Sequence, residues 1–167
     1  MERAAARRGV RDAAIVAVLL YAGARVEECA RLELEDVAIT ARTGTVRLHG
    51  KGDEVRTVSL PAIARARIAD WLDERGREAG ALWTGQRGRL TGSGITQVVV
   101  LAVGDDAGIT GLRPHRLRHT FGTRLRQGGA DPAQVQALLG HSSLDTSARY
   151  FRAGTAETAA VVERVFE

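Results

Sequence analysis

In the run Pro114-His115-Arg116-Leu117-Arg118-His119, a histidine and an arginine stand three residues apart, a spacing that puts His115 and Arg118 on one face of a helix. Leu117, Phe121 and Leu125 make the opposite, core-directed stripe. Two such donors on the first turn of a helix, where free amides and the dipole already favour negative charge, form a site for an anion such as phosphate. His115 and His119 are spaced like a pair of zinc ligands, but that motif needs a glutamate after the first histidine, and Arg116 stands there. No acidic residue falls between Asp106 and Asp131, while Arg113, Arg116, Arg118, Arg124 and Arg126 do. A block of one sign suits a phosphate-binding surface; its plain alternative is a solvated basic helix face. Lys51 is the one lysine among 24 basic residues. Lysine can release a proton near neutral pH when its surroundings lower its pKa, and arginine effectively cannot. Taken singly, His141 after Leu139-Gly140 reads as a cation at a helix C-terminus, and Tyr150 as an amphipathic residue at the edge of the core.

These residues must be carried by a mainly helical scaffold. Residues 12–22 are apolar almost all round and predict a buried helix ended by Gly23, followed by a short helix bearing Arg25, Glu28 and Leu32. Three β-type runs follow, at 37–40, 45–49 and 55–60, punctuated by Gly44 and by Gly50-Lys51-Gly52-Asp53. They predict a small three-stranded antiparallel sheet with Lys51 in a hairpin. Pro61 opens a helix with Ile63, Arg67, Ile68, Trp71 and Leu72 at helical spacing; 85–94 reads as a Gly-rich surface loop and 95–103 as a helix. Pro114 starts a helix to about Gln127, and Asp131-Pro132 starts another that Gly140 stops. A short helix around 145–151 and a C-terminal one over 155–166 complete the expected order.

Together the segments resemble the catalytic domain of the tyrosine recombinase, or phage integrase, family from Arg11-Asp12 to about Tyr150. The run from Leu20 to Glu28 is similar to the family's first box, which implies that Arg25 is its first catalytic arginine and Glu28 the supporting acid. His49-Gly50-Lys51-Gly52 is similar to the hairpin with the catalytic lysine, Pro114 to Phe121 to the His-x-x-Arg box, and Leu138 to Ser143 to the box that supplies His141. Tyr150 stands where the family places its nucleophile. The resemblance implies an α+β fold and a DNA strand-transfer enzyme that works through a 3′-phosphotyrosyl link, without cofactor, metal or ATP. Arg25 and Arg118 would bind the non-bridging phosphate oxygens, and His115 and His141 would bond to them or handle the tyrosine's proton. Lys51 would protonate the leaving 5′-oxygen, and Arg113, Arg116, Arg124 and Arg126 would contact the DNA backbone. A type IB topoisomerase-like activity shares this chemistry, and a non-catalytic DNA-binding module is the alternative of another class.

Composition sets the bounds. The 167 residues are 44% hydrophobic and 26% charged, with a net charge of +4, which suits one globular domain. The longest apolar stretch, 13–22, is too short to span a bilayer, no signal peptide is expected, and Cys29 is alone, so the expected location is the cytoplasm. We expect residues 1–167 to form a single catalytic domain without the DNA-binding domain that usually precedes it in the family. Double-stranded DNA is the expected partner, and a tetrameric synapse of copies on DNA the expected assembly. The apolar stripe of the C-terminal helix serves either that assembly or its own domain.

Overall fold

The computed structural model describes residues 1–140 and 155–166. Its centre is α2 (Val10–Tyr21), buried from Asp12 to Tyr21. A helix that is apolar all round must be enclosed by other elements. Here α1 (Glu2–Arg8) and α4 (Ala62–Arg75) pack against it. The sequence reading did not anticipate α1, whose Ala4 and Ala5 are buried. Asp12, the buried carboxylate of α2, is held by Arg11 at 2.8 Å and Arg8 at 3.3 Å.

Gly23 ends α2 with φ +59, and a Cβ there would lie 2.3 Å from the Phe121 ring. Glycine is required on both counts: only it adopts this backbone freely, and only it lets the chain pass so close to Phe121. The turn leads into α3 (Val26–Arg31) and then into the sheet of β1 (Val37–Ile39), β2 (Gly44–His49) and β3 (Val55–Ser59). Both pairings are antiparallel, as the sequence led us to expect, and the register sets Val46 opposite Val58 and Leu48 opposite Arg56. Val46, Leu48 and Val58 face the core.

Pro61 caps α4, whose Ala64, Ile68, Trp71 and Leu72 turn inward while Ile63 stays exposed. Trp71 stacks on Trp83, and the Trp83 indole donates to the Cys29 carbonyl at 2.9 Å. Burial pushes the Cys29 thiol up to about 12, so it is an inert core group. The expected loop at 85–94 needs correction, since it contains a small hairpin, β4 (Thr84–Gly85) with β5 (Gly88–Arg89), and the start of α5. The Thr91 hydroxyl nucleates that start by accepting from the Gly94 amide at 3.0 Å. Helix α5 runs from Gly92 to Asp106, with a π-helical stretch at Ile95–Leu101 in place of regular α-helix.

Helix α6 (Pro114–Gln127) buries Leu117, Phe121 and Leu125. Helix α7 (Pro132–Leu139) begins with a capping box between Asp131 and Gln134 and ends at Gly140, φ +62. Helix α8 (Thr155–Phe166) lies on its own domain, with Val162 buried and Phe166 between Tyr21 and Phe121, at ring separations of 5.0 and 5.9 Å. Glu163 adds a pair to Arg65 at 3.0 Å. Of the two roles left open for this apolar stripe, the described residues show packing onto the chain's own core. The helix expected around 145–151 lies outside the described residues. No helix among those described is long and apolar enough to cross a membrane.

Gly23→Ala combines a left-handed backbone with a clash against Phe121. It is expected to lower the unfolding free energy by about 2–4 kcal/mol. An unchanged urea midpoint for this variant would contradict the tight approach of the α2–α3 turn to Phe121.

Candidate anion site

The turn after α2 presents Arg25 as the N-cap residue of α3, and one helical turn later Glu28 points back at it. Glu28 accepts from the Arg25 amide at 2.7 Å and from its guanidinium at 2.8 Å. From the other side, Arg56 on β3 grips the same carboxylate with two parallel bonds, 2.9 and 2.8 Å long. This fork-to-fork pairing is the strong geometry for arginine and carboxylate. Burial would push the Glu28 carboxyl up, but the bonds from Arg56 and from the Arg25 amide and guanidinium outweigh it and hold the group at about 2.

A third arginine arrives from α6. Arg118 is half-buried and donates to the carbonyls of Gly23 and Leu139. Burial and the nearby charges of Arg25 and Arg56 lower its pKa to about 10, and Glu28 partly offsets them. It therefore stays charged at neutral pH. The end of α7 receives all three guanidinium groups on successive carbonyls: Arg56 on Leu138 at 2.9 Å, Arg118 on Leu139, and Arg25 on Gly140 at 3.1 Å. Unpaired carbonyls and the negative end of the helix dipole make a C-terminus a natural place to hold cations. The side chain of Arg25 is 45% exposed and that of Arg56 13%, so Arg25 faces solvent while Arg56 lies behind it.

Lys51 is exposed in the turn between β2 and β3, where Gly52 takes φ +73. The neck of this hairpin closes with the Gly50 amide donating to the Glu54 carbonyl at 2.7 Å. That neck lies against the carboxylate, since a Cβ on Gly50 would be 3.8 Å from Glu28 Oε1. At the hairpin's base, buried Asp36 accepts from Arg47 at 3.0 Å and lies 2.8 Å from His49 Nε2. Burial would raise Asp36, but His49, the Glu33 amide and Arg47 together lower it. His115 is exposed on the first turn of α6, three residues before Arg118.

The structure thus brings Arg25, Glu28 and Arg118 together and places the Lys51 hairpin beside them. His141 and Tyr150 lie outside the described residues. The arginines expected to meet DNA, Arg113, Arg116, Arg124 and Arg126, are all exposed. Arg116 curls back onto the carbonyls of Thr110 and Gly111, and Arg124 covers the Phe166 ring at 5.5 Å from its centroid. Arg56 and the Asp36–Arg47–His49 cluster were missed from the sequence. A signal for Arg56 existed, since it stands two residues before Val58 and therefore on the core face of its strand.

A mainly helical α+β domain whose arginines converge beside a lysine-bearing hairpin has the architecture of tyrosine recombinase catalytic domains. The chain belongs to the phage integrase family, whose profile matches residues 1–157. It is 37% identical over 145 residues to the tyrosine recombinase XerC of Pelobacter propionicus, covering 85% of this chain and 47% of that protein. The chain therefore spans just under half the length of that relative. The integrase of mycobacterium phage Brujita superposes with a TM-score of 0.74 at 27% identity, over 95% of this chain and 53% of its own. The XerH site-specific recombinase bound to its difH substrate gives 0.69 at 30% identity, over 82% and 41%.

The Glu28 carboxyl is held below its ordinary value of 4.5, so its ionised form stabilises the folded state. That contribution, about 3 kcal/mol, is fully present above roughly pH 4.5 and is lost as pH falls towards 2. Glu28→Gln is expected to be less stable at pH 7 and to lose less stability over the same acid window. Parallel losses in the two proteins, followed by urea unfolding, would refute this assignment.

Proposed function

We propose that the chain is the catalytic part of a site-specific DNA recombinase that cuts and rejoins strands through a tyrosine. The observation that carries this reading is the convergence of Arg25 and Arg118 on the end of α7, beside the Lys51 hairpin. A phosphodiester under attack gains negative charge on its non-bridging oxygens, and two fixed guanidinium groups are preorganised for that charge. They supply the positive charge that other phosphodiester enzymes take from metal ions.

In this reading the Tyr150 oxygen attacks phosphorus, the bond to the 5′-oxygen breaks, and a 3′-phosphotyrosyl link forms. Ionising an ordinary tyrosine at pH 7 costs about 4 kcal/mol. The arginine cluster lowers that cost, or His115 or His141 takes the proton as attack proceeds. Lys51 gives its proton to the departing 5′-oxygen. The bond energy is retained in the link, so a 5′-hydroxyl from a second strand reverses the step without ATP. The other tyrosine, Tyr21, is unsuited to the role: burial and its hydrogen bond to Glu2 hold it protonated well above the ordinary range.

Double-stranded DNA is the proposed substrate, with the basic first turns of α6, including Arg113, against its backbone. Arg126, exposed on the same helix, joins that contact, and Arg116 and Arg124 do so on leaving the Thr110 and Gly111 carbonyls and the Phe166 ring. Exchange between two duplexes calls for several copies, and we place four in the synapse, acting in the cytoplasm.

In chelator and low salt, nicked duplexes drawn from the replicon that encodes the chain should yield a covalent protein–DNA adduct on a denaturing gel. Tyr150→Phe should yield none, and Tyr21→Phe should retain it. An adduct with Tyr150→Phe, or none with the unmodified chain on any of these duplexes, would overturn the proposal.

A further inference from the structure

Arg56 lies behind the anion site, with too little exposure to reach a DNA phosphate itself, yet it joins the strand that leaves the Lys51 hairpin to Glu28 on α3 and to the end of α7. It belongs to the strand that leaves the Lys51 hairpin, opposite Leu48 on the strand that enters it. Its two terminal nitrogens hold both oxygens of Glu28, the residue that orients Arg25. Its Nε holds the Leu138 carbonyl, two residues before the Gly140 carbonyl that accepts from Arg25. A Cβ on Gly140 would lie 2.9 Å from Arg56 Nη1, so the Gly140 backbone that ends α7 lies directly over the guanidinium. Besides Arg56, the hairpin meets the arginine site through the packing of α3 on β2 and of α7 on β3 and through the Gly50 neck against Glu28, but none of these grips the Glu28 carboxylate with a side chain.

We propose that Arg56 is a positioning residue that sets the Lys51 hairpin over the phosphate held by Arg25 and Arg118, so that the lysine can reach the leaving oxygen. This rests on the strand-transfer reading above. Breaking the bond from phosphorus to the 5′-oxygen leaves an alkoxide, and the proton it takes comes from the Lys51 ammonium. A displaced hairpin therefore slows the step at the leaving group and not at the phosphate. Lysine at position 56 keeps the charge but cannot bond both Glu28 oxygens and the Leu138 carbonyl with one planar fork.

The test compares two nicked duplexes, one natural and one with sulfur in place of the bridging 5′-oxygen at the scissile phosphate. A thiolate leaves without being protonated, so the sulfur substrate bypasses the general acid. Adduct formation is timed for the unmodified chain, Lys51→Ala, Arg56→Lys and Arg56→Gln, and each variant's thermal melt is recorded. Arg56→Lys serves alone if Arg56→Gln does not fold. We expect the Arg56 variants to slow cleavage of the oxygen substrate by about 10²-fold, the scale of general-acid catalysis, and to cleave the sulfur substrate within about tenfold of the unmodified rate, as Lys51→Ala should. Equal losses on both substrates, or no loss on either, would overturn the role of Arg56 while leaving the reaction itself standing. No adduct from the unmodified chain on either substrate would instead bring down the strand-transfer reading, and this role with it.

Discussion

Three guanidinium groups gathered around one carboxylate would repel one another, and the fold exists in this form because the repulsion is answered locally. Glu28 supplies one full negative charge between Arg25 and Arg56. The last carbonyls of α7 supply the rest, one to each arginine. Removing Glu28 would leave the largely buried Arg56 without its carboxylate, so this pair costs more to break than an exposed ion pair would. Burial first, and then the charges of Arg25 and Arg56, lower the pKa of Arg118, so the repulsion is not fully cancelled. A cluster with unspent positive potential at its exposed side is suited to receive an anion.

The remaining architecture serves to bring those four side chains to one point from distant parts of the chain. The turn at Gly23 passes tight against Phe121, which sets the distance between the Arg25 loop and the helix that carries Arg118. Sheet register then brings Arg56 and the Gly50 neck to Glu28, while Asp36 clips the hairpin's base through Arg47 and His49. Phe166 of α8 closes the far side by packing between Tyr21 and Phe121, under Arg124. The same aromatic group thus braces the helix whose other face bears the site.

Much of the scaffold was legible because its signals are local. Residues 12–22 read as a buried helix, Gly23 as its stop and Gly140 as a later helix's, and the β-type runs at 37–40, 45–49 and 55–60 as an antiparallel sheet. Where the reading fell short, the deciding interaction was not local. The π-helical stretch of α5 depends on packing that a Val-Val-Val run does not announce. Helix α1 owes its place to Ala4 and Ala5 lying against the core, which a basic N-terminal sequence hides.

The candidate site divides in the same way. Residue type and spacing singled out Lys51, His115 and Arg118, because a phosphate site demands particular functional groups in short motifs, and the resemblance of residues 20–28 to the family's first box added Arg25 and Glu28. Sequence could not show which charges neutralise which. Arg56 and the carbonyls of Leu138, Leu139 and Gly140 became partners of the site through tertiary packing alone. Coulomb energy and hydrogen bonding depend on distances of a few ångströms between residues far apart in the chain, and those distances are decided only when the helices and the hairpin close on one another.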